Sequence, residues 1–224
     1  MVPHDGIGNP VSDPVLVRGA DIIRAGGVVA FPTETVYGLG ADAYNAEAVA
    51  RIFEIKGRPR FDPLIVHVGD LETAKHIASE FPELAVRLAE RFWPGPLTLI
   101  LPKLHLIPDI VTAGMPTVAL RMPAHPAALE LIRRAGVPVA APSANPFGRI
   151  SPTTADHVRG QLRDSVDFII DGGPCTVGVE STIVSLTGST PVLLRAGGTP
   201  AEDIEEITGP LAAPVNNGGP PESP

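Results

Sequence analysis

Between Pro32 and His67 the chain collects groups suited to holding an anion. The hydroxyls of Thr33 and Thr35 flank Glu34, and a Gly-flexible segment, Gly38-Leu39-Gly40, comes next. Three cations fall within five residues at Lys56, Arg58 and Arg60, and His67 closes the apolar run Leu64-Ile65-Val66. Guanidinium forks and a compact ammonium are the groups that recognise phosphate and carboxylate oxygens. Arg58 and Arg60 flank Pro59, beyond the end of any helix that reaches Lys56, so more than a solvated helix end is needed to explain them. Further along, Ser143-Ala144-Asn145 repeats the pattern of polar groups directly after an apolar run.

Several chemistries are unsupported. There is no Gly-x-x-x-x-Gly-Lys-Ser/Thr phosphate loop and no Gly-x-Gly-x-x-Gly after a strand. Ser143 lacks a Gly-x-Ser-x-Gly elbow, and the six histidines show no zinc-ligand spacing. Cations and hydroxyls without an evident nucleophile or metal cage fit catalysis by positioning and charge neutralisation, as phosphoryl and nucleotidyl transfer require.

These groups need elements to carry them. Arg18 to Ala25 has helical apolar spacing and stops at Gly26-Gly27. Val28 to Phe31 reads as a strand covered on both faces, with the Thr33-Glu34-Thr35 turn at its carboxyl end, where open α/β sheets place ligands. Asn45 caps a helix to about Lys56, with Ala48, Val49, Ile52 and Phe53 on one face. Leu64 to Val68 is the next strand. Helices are expected from Asp70 through Ala78 and over Pro82 to Phe92, then a rigid turn at Trp93-Pro94-Gly95-Pro96, with Trp93 as a packing anchor. Strands are expected at Leu97–Leu101 and Val118–Arg121, with loop around Pro108 and Gly114-Met115-Pro116. A helix over Ala127–Ala135 begins behind Pro126, and Val137–Ala141 returns to the sheet. Ser151 is expected as the N-cap of a helix to about Leu162. Strands at Phe168–Ile170, Thr182–Leu186 and Val192–Leu194 precede a last helix, opened by a capping box from Thr199 to Glu202 with Pro200 in first position. Alternating strands and helices, with short links late in the chain, predict an α/β fold with a mixed sheet. The polar loops after Phe31, Ala141 and Ile170 are expected on one side of it.

The 224 residues, 44% of them hydrophobic, suffice for one globular domain with a substantial core. No apolar run is long enough to cross a bilayer and the first residues lack a signal-peptide pattern, so a cytoplasmic location is expected. The single cysteine, Cys175, excludes an internal disulfide. A net charge of −8 argues against nonspecific coating of nucleic acid. Of 17 basic residues only Lys56, Lys75 and Lys103 are lysines, and Lys56 shares one block of ten with Arg51, Arg58 and Arg60. A local basic cluster on an acidic chain suits a compact anionic ligand such as a nucleotide.

Taken together, the segments Phe31–Leu39, Lys56-Gly57-Arg58-Pro59 with Pro63-Leu64 and His67, Trp93–Thr98, Ala119–Pro123, Ala141–Asn145 and Ser181-Thr182-Ile183 resemble the YrdC family of threonylcarbamoyl-adenylate synthases. The resemblance covers roughly residues 15 to 208. It implies a YrdC-like twisted α/β sheet surrounded by helices, with a large cationic concave face. It also implies a reaction in which L-threonine, bicarbonate and ATP give threonylcarbamoyl-AMP and pyrophosphate, with Mg2+ carried on the phosphates rather than by dedicated protein ligands. The product would pass to partner proteins that modify adenosine beside the anticodon of tRNAs; no membrane partner and no stable nucleic-acid binding are expected.

By similarity, Lys56 and Arg58 should touch the carbamate and phosphates as the catalytic pair. Arg58, Asp62, Thr117, Ser143, Asn145, Ser151 and Arg195 match the ATP-binding positions; Thr35, His67, Arg121, Ala141 and Ser181 match those for threonine. Arg121 suits a carboxylate because it can bond both oxygens. Plainer roles stand beside these: Thr33 and Thr35 could order a turn, Ser151 could simply cap a helix, and His67 could be a satisfied core histidine. One position departs from the family, which usually has Asn where this chain has Asp62. A carboxylate there repels ATP unless it pairs with Arg60 or reaches magnesium. Residues 1–209 are expected to form the catalytic domain and 210–224 a Pro/Gly-rich linker or tail, of the kind that precedes a second domain in longer members. Two other functions share part of this pattern: a carbamoyl-adenylate-forming module, and an RNA-binding module without catalysis.

Overall fold

The structure, a computed structural model, describes residues 11–214. Its helices are α1 (Asp13–Arg24), α2 (Ala46–Lys56), α3 (Leu71–Ile77), α4 (Glu83–Phe92), α5 (Asp109–Thr112), α6 (Pro126–Ala135), α7 (Ala155–Leu162) and α8 (Ala201–Thr208). Its strands are β1 (Val29–Phe31), β2 (Gly38–Asp42), β3 (Ile65–His67), β4 (Leu97–Pro102), β5 (Thr117–Arg121), β6 (Val139–Ala140), β7 (Phe168–Ile169), β8 (Thr182–Ser185) and β9 (Val192–Arg195). They form one mixed sheet in the order β7-β1-β2-β6-β3-β5-β4-β8-β9. β3 runs parallel to β5, with His67 opposite Arg121, and β4 runs parallel to β8, with Leu97 opposite Thr182.

Apolar faces explain the layering. Leu16, Ala20 and Ile23 of α1 and Ala128, Leu131 and Ile132 of α6 bury against Val29, Phe31 and Val139 on one face of the sheet. On the other, α2, α3, α4, α7 and α8 contribute Ile52, Phe53, Ile77, Leu88, Val158 and Ile204 to a larger core with Leu39, Val66, Leu99 and Leu120. A sheet covered on both faces has wholly apolar strands, as in β1.

The two ends of α2 set the position of the cationic segment. The Asn45 side chain accepts hydrogen bonds from the Glu47 and Ala48 N–H groups, as expected. Gly57 ends the helix at φ 60°, a left-handed conformation that glycine adopts without steric cost. The chain therefore turns sharply after Lys56, and Arg58 leaves in a new direction.

Four expectations are corrected. Gly38-Leu39-Gly40 is not a flexible loop but part of buried β2, paired to β1 on one side and β6 on the other. A Cβ on Gly40 would lie 2.6 Å from both Phe31 and Val139, so the glycine serves close packing rather than mobility. The loop around Pro108 contains α5, whose Val111 is fully buried. Ser151 does not cap α7: Thr154 does, its hydroxyl accepting from the His157 N–H, while Pro152 O is held by the Tyr37 N–H and keeps the preceding segment extended. The Thr199–Glu202 capping box is absent, because the Thr199 N–H is taken by Thr182 Oγ1 at 3.1 Å and the helix begins beyond Pro200.

Beyond α8 the chain is not all solvent-facing. Leu211 packs against the larger core, and Ala212 exchanges backbone hydrogen bonds with Pro191 and Leu193 beside β9. The rest of the expected tail, residues 215–224, lies outside the described residues.

Candidate functional site

The loops after β1, β6 and β7 do meet on one side. The Tyr37 hydroxyl donates to Gly173 O at 2.8 Å, Gly38 bridges to Ser143, and the N–H groups of Val177 and Gly178 donate to Glu34 O and Thr35 O. Thr33, Glu34 and Thr35 are consequently buried, at 2%, 6% and 0% exposure, which is costly for a polar turn unless every group is satisfied.

Thr33 is satisfied within the turn, its hydroxyl donating to Val36 O at 2.6 Å, and Glu34 and Thr35 largely through β5. Arg121 Nη2 donates to Glu34 Oε1 at 2.7 Å and to Thr35 Oγ1 at 3.0 Å, and its Nε donates to Gly95 O at 3.2 Å. The second Glu34 oxygen accepts from the Ala124 N–H. Among the described residues only Nη1 of this guanidinium has no partner, so one arm of the fork rather than two is left without a protein acceptor. His67, opposite Arg121 on β3, is buried edge-on to Phe31 with its Nδ1 unbonded. Burial, and then the charge of Arg121, push its pKa down to about 3 and keep the ring neutral.

A second group forms where α2 ends. Lys56 is only 3% exposed, and its Nζ donates to the carbonyl oxygens of Ser143 and Asn145, each at 2.5 Å. Phe147 N–H returns a bond to Lys56 O, so the Ser143–Asn145 loop is stitched to the last turn of the helix. Burial, reinforced by Arg58 and opposed by Asp62, brings the Lys56 pKa down to about 7.

Arg58 Nη2 lies 2.7 Å from Asp62 Oδ1 and donates to Pro63 O at 3.0 Å. Asp62 thus pairs with Arg58 and not with Arg60. Oδ1 is within ion-pair distance yet buried without a hydrogen bond of proper geometry, and burial raises its pKa while Arg58 opposes the rise.

A third group joins β4, β8 and β9. Thr98 Oγ1 and Ser181 Oγ are 2.7 Å apart; Arg195 donates from Nε to Ser181 O at 3.0 Å and from Nη2 to Ser181 Oγ at 3.2 Å. Ser151 donates to Glu180 Oε1. Burial lowers the pKa of Arg195, against Glu180, while Arg121 and Arg58 add to the lowering; Arg195 therefore feels the charge of the arginines in the other two groups.

Of the residues singled out in the sequence, Thr35, His67, Arg121 and Ser181 are buried among these groups, and Ala141 ties its N–H to Ile65 O beside them. Lys56, Ser143 and Asn145 are brought together directly. Thr117 is not: it pairs with Pro102 at the start of β5, and no hydrogen bond joins its side chain to Ser143 or Asn145 among the described residues. Sequence reasoning missed Glu34, Thr98 and Glu180 as partners. Each lies inside or beside a motif already noted, but nothing local says that a distant arginine or hydroxyl needs it.

No cluster of three or more His, Cys, Asp or Glu that could hold a metal occurs among the described residues. What the arrangement offers is fixed donors, three arginines and a lysine, two of them matched by buried carboxylates.

A family model named Sua5/YciO/YrdC, described as "Telomere recombination", matches residues 21–197. A Pyrococcus abyssi (strain GE5 / Orsay) protein named threonylcarbamoyl-AMP synthase is 55% identical over 192 residues, covering 86% of this chain and 56% of that protein. A Bacillus subtilis (strain 168) protein of the same name is 53% identical over 201 residues, covering 89% and 58%. The crystal structure of P. abyssi Sua5 complexed with L-threonine has a TM-score of 0.87 at 53% identity, covering 88% of this chain and 58% of that one. The chain spans a little over half the length of these relatives.

Proposed function

The chain belongs to the Sua5/YciO/YrdC family, and on that premise we propose that it is an L-threonylcarbamoyladenylate synthase, a nucleotidyltransferase. The threonine amine adds to bicarbonate with loss of water, giving an N-carboxylate. An oxygen of that carboxylate then attacks the α-phosphorus of ATP, the bond to the bridging oxygen breaks, and pyrophosphate leaves. Negative charge crowds the transition state, and fixed cations lower its energy most where water is excluded.

The observation that carries the reading is the fork of Arg195 on Ser181. It joins the residue matched to ATP with a residue matched to threonine, as a reaction between the two ligands requires. In this assignment Thr35, His67, Arg121, Ala141 and Ser181 hold threonine, with Nη1 of Arg121 meeting the carboxylate. Arg58, Asp62, Thr117, Ser143, Asn145, Ser151 and Arg195 hold ATP, and Lys56 with Arg58 serves the reacting groups. Magnesium accompanies the triphosphate. The product passes to proteins that modify tRNA in the cytoplasm, and residues 1–209 act as the catalytic domain, to which Leu211 and Ala212 are also packed.

The names of the relatives and the threonine-bound P. abyssi structure support this reading. Pyrophosphate release is expected only when L-threonine, bicarbonate and ATP are all present, with a product of the mass of threonylcarbamoyl-AMP. Release that persists without threonine, or tight and steeply salt-dependent tRNA binding without turnover, would refute it.

A further inference from the structure

A count of protons around Ser181 leads to a residue that none of the motifs assigns. Thr98 is fully buried in β4, Ser181 is 1% exposed, and their hydroxyl oxygens lie 2.7 Å apart. Arg195 Nη2 donates into the Ser181 oxygen. A hydroxyl carries one proton and accepts two hydrogen bonds. Two hydroxyl protons and one guanidinium proton therefore share the pair, while the contact between the hydroxyls uses only one of the first two. One proton is left over.

Both hydroxyls are buried, so the leftover proton must sit on the one a ligand can satisfy, and of the two only Ser181 is matched to the bound threonine. If Ser181 donated to Thr98, the leftover proton would sit on Thr98, which has no other hydrogen-bond partner among the described residues and no exposed surface; an unsatisfied buried donor is costly. If Thr98 donates, Ser181 accepts from Thr98 and from Arg195, both of its lone pairs are filled, and its own proton is free to point at a ligand.

We propose that Thr98 is a positioning residue which, with Arg195, fixes Ser181 as a hydrogen-bond donor to the bound amino acid, so that the atom it meets is a carboxylate oxygen and not the ammonium. The inference rests on the assignment of Ser181 to threonine given above. Thr98 touches no ligand itself. It sets the direction of the Ser181 hydroxyl and thereby favours the anionic end of the amino acid.

The test is Thr98→Val, which keeps the shape and removes the hydroxyl, compared with Thr98→Ser, Ser181→Ala and the double variant. L-threonine binding is followed by calorimetry and turnover by pyrophosphate release. Thr98→Val is expected to weaken threonine binding about five- to tenfold and to raise the KM for threonine with kcat little changed. Thr98→Ser should restore both. In the Ser181→Ala background, Thr98→Val should have little further effect, since the hydroxyl it orients is gone. Should Thr98→Val not fold, Thr98→Ala carries the same comparison. Unchanged threonine affinity in Thr98→Val, or effects that simply add in the double variant, would overturn the inference while leaving the proposed function standing. A wild-type chain that fails to bind L-threonine would overturn both.

Discussion

Lys56 should take up a proton when ATP binds. Its Nζ is buried against two carbonyl oxygens, and burial together with the charge of Arg58 brings its pKa down to about 7. At pH 8 only about a tenth of the molecules then carry the ammonium. A triphosphate placed beside Arg58 adds negative charge that favours the ammonium, and returning the pKa toward its ordinary value fills the remaining nine tenths. The expected uptake is about 0.9 proton per ATP bound at pH 8, falling to about 0.5 at pH 7. The triphosphate contributes little at pH 8, because its terminal ionisation lies near pH 6. The clamp on the loop survives either state, since a neutral amine still has two N–H donors for the two carbonyls. Isothermal titration of ATP in buffers of different ionisation enthalpy reads the proton count directly. Lys56→Met should bring it near zero. A count near zero in the wild type, or one that persists in Lys56→Met, would refute the reasoning.

Asp62→Asn keeps a side chain that can hydrogen-bond ATP but removes the carboxylate that occupies Arg58, and ATP should bind about five- to tenfold more tightly, as calorimetry would show; weaker binding would mean that Asp62 holds Arg58 in its productive place. Burial, then Arg121, keep His67 neutral with a pKa of about 3 against 6.5 in the unfolded chain. The stability it contributes is complete above pH 6.5 and is lost as pH falls toward 3. Denaturant titrations at pH 7 and pH 5 should differ by about 2 kcal/mol from this group, a difference that His67→Gln should abolish. Gly40→Ala places a methyl 2.6 Å from Phe31 and Val139 and should cost about 2 kcal/mol, lowering Tm by about 4–8 °C; an unchanged melting curve would show that the two side chains yield freely.

Most of the elements, and the chemistry they carry, were legible before any contact was known. Apolar spacing and caps act within a few residues of one another, so Asn45, Lys56 and Gly57 announce α2 and its end without help from the rest of the chain. The cations, hydroxyls and motifs likewise identify the family, because their types and order are covalent facts. Local signals failed where a distant contact competes for the same group. Thr199 has the letters of a capping box, yet its N–H is claimed by Thr182 on β8; Gly38-Leu39-Gly40 reads as flexible, yet its glycines exist to admit Phe31 and Val139.

Which charges meet was settled by the packing of distant strands. Glu34 and Arg121 have three strands between them along the chain and 2.7 Å between them in space. Asp62 pairs with Arg58 rather than the nearer Arg60 because the turn at Gly57 aims the former inward. Hydrogen bonds and ion pairs depend on distance and direction, which spacing along the chain does not encode once a residue lies beyond its own turn or strand. The proton count at Ser181, and with it the part assigned to Thr98, therefore became visible only when β4, β8 and β9 stood side by side.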